Sequence, residues 1–311
     1  MAQTTLLDRL KAAVRPIARH RFLIERAKYL GADILGAQAG NDRIAAMIDR
    51  PGVAGKIGAT EMKLARVYLR RRDHNGQCDN FGHYAWWAHV SSGIYPPDAP
   101  TLSRFCREYL NTLGGIDLLA VWYNFGEAAL RRRFAPRALM CELTALEPYY
   151  HQRPWSARLA GKRVVVVSPF EKSIQSQYRR RREVWAAKPD VLPEFDLRVV
   201  RCPQLAGLID RPEYPDWFEA LDALKQQMAL VPFDVALIGA GAWSIPLAMH
   251  ARSLGAFAIH LGGATQLMFG ILGARWESNG FINAVRNDSW TRPSAEERPP
   301  KYLLQENGSY W

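Results

Sequence analysis

The chain has 311 residues, 48% of them apolar and 23% charged, which gives length for one large or two moderate cores and excludes an intrinsically disordered chain. The formal net charge of +11 and the pI near 9.7 favour anionic partners without choosing among nucleic acid, phosphorylated ligands and an acidic membrane surface. No apolar run reaches the roughly 18 residues of a membrane span. The N-terminus is charged and lacks the apolar centre of a secretory signal, so the cytoplasm is the expected location. Cys78, Cys106, Cys141 and Cys202 show neither metal-knuckle nor redox spacing and are expected reduced and packed. The arginine runs at 70–72, 131–133 and 179–182 read as solvated helix faces.

Residues 1–30 form a basic, roughly amphipathic segment broken at Pro16, read either as surface helices or as an interfacial helix touching anionic lipid. The stretch 55–72 reads as a short strand, a turn and a helix opening near Thr60, which is placed to cap it, with Glu61 in the first turn where the helix dipole favours an anion. Residues 73–98 are irregular and rich in Trp, Tyr and His, a composition suited to a binding loop. A helix (99–113), a strand (116–122), a helix (125–133) and the stretch LTALEPYY (143–150) follow.

The second half alternates more plainly. KRVVVVS (162–168) is a continuous β-branched run, as expected of a strand buried on both faces. Then come a helix (171–187), a strand (196–202), a helix (214–229), a strand (234–240), a helix (244–254) and a strand (256–263). That alternation predicts an α/β fold: a Rossmann-like, doubly wound, mostly parallel sheet with helices on both faces. The expected organisation is one domain over 31–311, with an N-terminal half (31–160), a C-terminal half (161–286) and a tail (287–311) that wraps the surface.

The motif GAGAWS (239–244) tests for a dinucleotide site. Gly239 and Gly241 match the start of the glycine fingerprint, but Ser244 stands where its third glycine belongs. The next strand ends in AIHLGG, with His260 and no acid for a ribose hydroxyl. NAD is therefore not expected. The glycines still let a phosphate or sugar approach backbone N–H groups at a helix N-terminus. Three strand ends carry such loops: SPFEKS (168–173), GAGAWS (239–244) and HLGGATQ (260–266). Loops at adjacent strand ends would form a polar cleft beyond the carboxyl edge of the sheet. Ser173, Gln177 and Arg181, four apart, share one helix face and read either as flanking a long anionic ligand or as a plain polar surface.

Several segments together resemble a known group. They are KIGATE, LEPYY, RPWSARLAGKRVVVVSPFEKSIQSQYRRR, LPEFDLRVVR, DWFEAL, FDVALIGAGAWSIPLA, AIHLGGATQLMFGILGARW, NDSWTRP and the closing YW. They resemble bacterial glycosyltransferase-like proteins encoded with surface-polysaccharide genes and related to the GT-D structural class. The resemblance runs from about residue 55 to the end. It implies a Rossmann-like transferase that takes sugar from a nucleotide-diphosphate donor, with a glycan or lipid-linked acceptor at the inner face of the cell membrane.

One departure matters. Members of that class carry Asp-x-Glu at the turn matching GATE, where the acids bind a metal–diphosphate; here Ala59 replaces the first acid and Glu61 remains. A Mn²⁺ or Mg²⁺ requirement is left open, because one carboxylate supplies few of the oxygens such an ion takes. Glu61 is then metal ligand, general base or donor contact, with Gly58 and Thr60 of the same turn counted as donor contacts. The chemistry of such a transfer needs the leaving diphosphate neutralised, for which Arg181 and the helix N-termini at Ser168, Pro169 and Ser173 and at Gly239 and Gly241 are the candidates. Tyr84, Trp86, Trp87 and Trp243 are candidates for an aromatic wall, each alone also reading as core packing. His260 reads as a donor contact or a satisfied strand-end histidine, beside Gly262 and Gly263 of its loop, and the resemblance adds Gln266, Arg275 and Trp276 as cleft residues. A degenerate, non-catalytic partner that binds glycan or nucleotide is the second reading. Nucleic-acid binding rests on charge alone, since no helix-turn-helix, zinc or RNA-binding signature is present.

Overall fold

The computed structural model of the chain describes residues 20–311, so the expected basic segment at 1–30 lies outside the described residues up to residue 19. Eight strands form one sheet: β1 (Ile34–Leu35), β2 (Gly52–Gly55), β3 (Leu118–Val121), β4 (Leu139–Glu142), β5 (Arg163–Ser168), β6 (Asp196–Arg201), β7 (Val235–Ile238) and β8 (Phe257–His260). Their order is β1-β4-β3-β2-β8-β7-β5-β6, and every pairing is parallel.

The period of two along the central strands explains why both faces are covered. Val165, Val167, Ala236, Ile238 and Ala258 pack into one core with residues of the helices Ala59–Arg71, Ala99–Thr112, Trp217–Ala229 and Ser244–Ser253. Val164, Val166, Val235, Leu237, Phe257 and Ile259 pack into the other, with the helices Ala37–Met47, Glu171–Arg179, Ala264–Met268 and Gly280–Val285. The sheet is therefore doubly wound, as the sequence predicts. The edge strand β6, DLRVVR, keeps charged residues exposed along its length.

Chain order fixes where a ligand can enter. The path runs outward from β2 through β3 to β4, and outward from β5 to β6 on the other side, while β7 and β8 fill the centre. Strand order thus reverses beside β5 and beside β2, and loops at their carboxyl ends diverge to open a crevice.

Several local expectations need correction. The helix Ala59–Arg71 is capped at Gly58 with no side-chain cap bond, so Thr60 lies inside the helix and not at its cap. The aromatic stretch 73–98 contains a helix, Tyr84–Ser92, closed by Gly93 at φ +76°. The expected helix at 171–187 is interrupted at Arg180, giving Glu171–Arg179 and Arg181–Val184. The strands β1 and β4 and the helix Ala37–Met47 have no counterpart in the sequence reading. In the tail, Thr291 bridges Ile271, and the Lys301 backbone N–H donates to the Leu208 carbonyl. Among the described residues no helix is long and apolar enough to cross a membrane. All four cysteines are buried and unpaired.

Candidate active site

A cavity of about 270 Å³ opens at the carboxyl edge of the sheet. Lys56 after β2, Trp122 after β3, Ser168 and Pro169 after β5, Gly239 after β7 and His260 after β8 all line it. Gly58, Thr60, Glu61, Gly241, Gly262, Gly263, Gln266, Arg275 and Trp276 line it as well. Those expected residues come together from five loops spread along the chain.

The glycines act mainly by letting loops touch. A methyl group on Gly239 would lie 2.7 Å from the Gly262 carbonyl oxygen and 2.7 Å from Thr265 Oγ1, so the loops after β7 and β8 meet only because that side chain is missing. Gly262 holds φ +61°, a left-handed backbone that favours glycine. At Gly263 the neighbour is the Tyr310 ring, 2.6 Å from where a Cβ would sit. The chain's end is therefore seated against the β8 loop, and Gln305, Glu306, Tyr310 and Trp311 close one side of the cavity.

Glu61 stands in the first turn of the helix Ala59–Arg71 and is 7% exposed. Burial pushes its carboxyl above the ordinary range, while its own backbone N–H, the Ser92 hydroxyl and the Lys63 charge act the other way. His260 is buried, with Nδ1 3.0 Å from the Lys56 carbonyl oxygen. A carbonyl only accepts, so Nδ1 carries the proton and Nε2 is bare. Burial first, then the Lys56 charge, pushes the imidazole down to about 3, so it is neutral at physiological pH. Lys56 is half-buried, its ammonium 5.0 Å from the centre of the Trp122 ring. Burial lowers it; Glu147 opposes that and Arg275 adds to it. Arg275 donates to the Tyr310 hydroxyl at 2.7 Å and stacks 5.3 Å from the Trp276 ring.

Three buried polar atoms in this lining have no hydrogen-bond partner: Ser91 Oγ, Thr265 Oγ1 and Gln266 Oε1. Buried polar groups are normally paired, so three orphans facing one cavity mark places for a polar ligand. The Gln266 amide is held by its Nε2, which donates to the Tyr310 carbonyl at 2.9 Å.

Four expected site residues do not line the cavity. Ser173 is buried against the tail: its hydroxyl donates to Glu297, whose carboxylate also accepts from the Lys172 N–H at 2.6 Å. The N-terminus of the helix Glu171–Arg179 is thus already filled by an internal acid. Gln177 donates to the Ser289 carbonyl at 2.9 Å and the Gly270 carbonyl at 3.2 Å. Arg181 pairs with Glu194 and lies 5.2 Å from the Tyr178 ring centre. Trp243 is fully buried and donates to the Trp217 carbonyl at 3.1 Å. The aromatic wall differs too. Trp86 and Trp87, 48% and 40% exposed, lie outside the lining, and Tyr84 packs against the core. The cavity's aromatic residues are Phe170, Trp122, Trp276, Tyr310 and Trp311.

Sequence reasoning missed Lys56, Trp122, Ser91, Thr265 and the closing tail residues. Lys56 and Trp122 each follow a strand directly, the position at which open α/β sheets place ligand contacts, and that was the available signal.

The residues do not fit a protein-held divalent cation. Among the described residues no group of three His, Cys, Asp or Glu side chains is placed to hold a metal. The Glu61 carboxyl lies against Gly58 with no second acid beside it at Ala59. Hard divalent cations take six or more oxygens, more than this set offers.

Fold and site together define a Rossmann-like α/β protein with a polar, glycine-walled ligand cavity at the carboxyl edge of a parallel sheet. No protein family and no curated protein was found to match the chain. It is similar to a selenomethionine-substituted structure of domain of unknown function 1792, with 12% identity, TM-score 0.49, and coverage of 91% of this chain and 96% of the other. It is also similar to a structure described by the words "the highly conserved domain of unknown function 1792 has a distinct glycosyltransferase fold", with 12% identity, TM-score 0.46, and coverage of 93% and 98%.

Proposed function

We propose that the protein is a glycosyltransferase that moves a sugar from a nucleotide-diphosphate donor to a surface-polysaccharide or lipid-linked glycan precursor. The observation that carries this reading is the buried Glu61 carboxyl sharing one cavity with the orphaned Thr265 and Gln266 oxygens and the cationic side chains of Lys56 and Arg275. The sequence segments quoted above support the same class. In the proposed displacement the acceptor oxygen attacks the anomeric carbon. The bond to the diphosphate breaks, its electron pair leaves on the phosphate oxygen, and the acceptor proton passes to Glu61. A carboxyl raised by burial is a better base than a solvated one. Arg275 and the N-terminus of the helix Ala59–Arg71 meet the leaving charge. Trp122, Trp276 and Tyr310 offer faces for the base or sugar. The basic surface suits an acceptor in an anionic membrane.

A thermal-shift screen against UDP, GDP, CDP and TDP and their sugar conjugates tests this. One diphosphate at a hundred times its dissociation constant should stabilise the protein by about 2.7 kcal/mol. Sugar transfer or release from the matching conjugate should then be lost in Glu61→Gln. Stabilisation by a glycan alone, with no nucleotide effect, would sink the transferase reading in favour of a glycan-binding partner.

A further inference from the structure

Lys56 has no charged or hydrogen-bonding partner for its ammonium among the described residues: it makes no ion pair, and its Nζ donates no hydrogen bond. Glu147 raises it through space, yet the Glu147 carboxylate is engaged by the Tyr149 hydroxyl at 2.7 Å. The Lys56 side chain and His260 Nε2 reach the same face of Gly262, at 3.4 Å and 3.6 Å from the position a Cβ would take there. His260 is bare at Nε2 and brings no charge of its own. Trp122 lies 5.0 Å from this ammonium, and the first turn of the helix Ala59–Arg71 lines the same cavity, as do Thr265 and Gln266, both 2% exposed and each with an orphaned oxygen. A half-buried cation that forms no ion pair with Glu147, the acid that acts on it through space, and that lies three residues before the position at which the first acid is missing favours an anion from outside the chain.

We infer that Lys56 stands in for the divalent cation in this protein, holding the diphosphate of a nucleoside-diphosphate ligand directly and without metal. The inference rests on the transferase reading for the identity of the ligand and reaches beyond it in assigning the charge that neutralises the diphosphate. Lys56 with the single carboxylate of Glu61 sums to zero, the same balance that a divalent cation with two carboxylates would give. Arg275 at the rim and about half a positive charge at the helix N-terminus add to it.

The test is isothermal titration calorimetry on the full chain with inorganic pyrophosphate and with the nucleoside diphosphate selected by the screen, each in EDTA and in Mn²⁺. The wild type should bind both in EDTA, with no more than a few-fold gain from Mn²⁺. Lys56→Met should weaken both by roughly 10- to 100-fold, the factor carried by a hydrogen bond to a charged group. Its melting temperature should equal or exceed that of the wild type, because an unpaired buried cation costs stability. Lys56→Gln provides a second variant, and Lys56→Arg should restore part of the affinity. Binding that vanishes in EDTA overturns the inference and leaves the transferase reading standing, and so does binding that Lys56→Met leaves unchanged. Absence of pyrophosphate and nucleotide binding under both conditions overturns it outright. Pyrophosphate held through Lys56 in a protein that transfers no sugar supports the inference and defeats the transferase reading.

Discussion

His260 should make the folded protein acid-sensitive in a definite window. Its imidazole is pushed down to about 3 in the folded state by burial and by the Lys56 charge, from an ordinary 6.5. Below 6.5 the unfolded chain takes up a proton that the folded one refuses, so stability falls as pH falls from 6.5 towards 3. Each pH unit inside that window costs about 1.4 kcal/mol, and between pH 6.0 and 4.5 the loss from this one side chain is about 2 kcal/mol. Urea unfolding of wild type and His260→Gln at those two pH values isolates it. His151 and His250 are also lowered by burial, and the paired carboxylates Asp49 and Asp234 also lose stability in acid. These act equally in both proteins and cancel in the difference. The variant's lost hydrogen bond to Lys56 shifts both of its values alike and leaves its pH slope untouched. Equal losses for wild type and variant would mean that His260 takes up a proton freely when folded, and the neutral imidazole assigned here would be wrong.

Three further outcomes are expected. Glu61→Gln should hold its stability to within about 1 kcal/mol at neutral pH, since an acid in the first turn of a helix contributes no more than that through the helix dipole; transfer at the wild-type rate would remove Glu61 from the chemistry. Arg181→Ala should cost roughly 1 kcal/mol in denaturant melts through its Glu194 and Tyr178 contacts and leave nucleotide affinity unchanged. A calorimetric loss of affinity there would return Arg181 to the site. Gly239→Ala should cost about 1–3 kcal/mol, because the Gly262 carbonyl that blocks the new methyl is backbone and cannot swing away. Gly280→Ala, at the first position of the helix Gly280–Val285 and with nothing within 4 Å of the new atom, is the control without a clash in the same melts.

What the sequence made legible follows from side-chain patterning. The β-branched run of β5 and the apolar runs of β7 and β8 are buried on both faces, which leaves an unbroken hydrophobic signal. β2 carried a weaker signal, read as a short strand from residue 55 where the structure has Gly52–Gly55. Its residues are Gly-Val-Ala-Gly, and a Cβ on Gly55 would lie 2.9 Å from the His260 Cβ, so close packing against β8 removed the very side chains by which a strand is recognised. β1 has two residues and β4 four, too short for a period to register. The helix Tyr84–Ser92 was hidden by its aromatic residues, which favour strands and loops in isolation; its own packing and the left-handed Gly93 define it. At the site, strand-end loops were readable from topology rules and glycines. The closing tail was not, because Tyr310 and Trp311 reach the cavity only through contacts made across the whole chain.

The helix Glu171–Arg179 shows why a motif has to be weighed against the rest of the chain. Its N-terminus follows β5 and carries Ser173, so by local rules it is an anion site. The rule holds, but the anion is Glu297, supplied by the tail 124 residues away and bound by the Lys172 and Ser173 N–H groups. Once that terminus is satisfied internally, its partners on the same helix face are released from any need of a ligand: Gln177 and Arg181 spend their donors on Ser289, Gly270 and Glu194. The reverse applies across the cavity, where Lys56, Thr265 and Gln266 keep polar atoms that nothing in the described chain satisfies. An unsatisfied group costs free energy in the empty protein and returns it on binding. The imbalance between these two sides, one closed by the chain itself and one with orphaned polar atoms, marks the candidate site more firmly than the glycine motifs do.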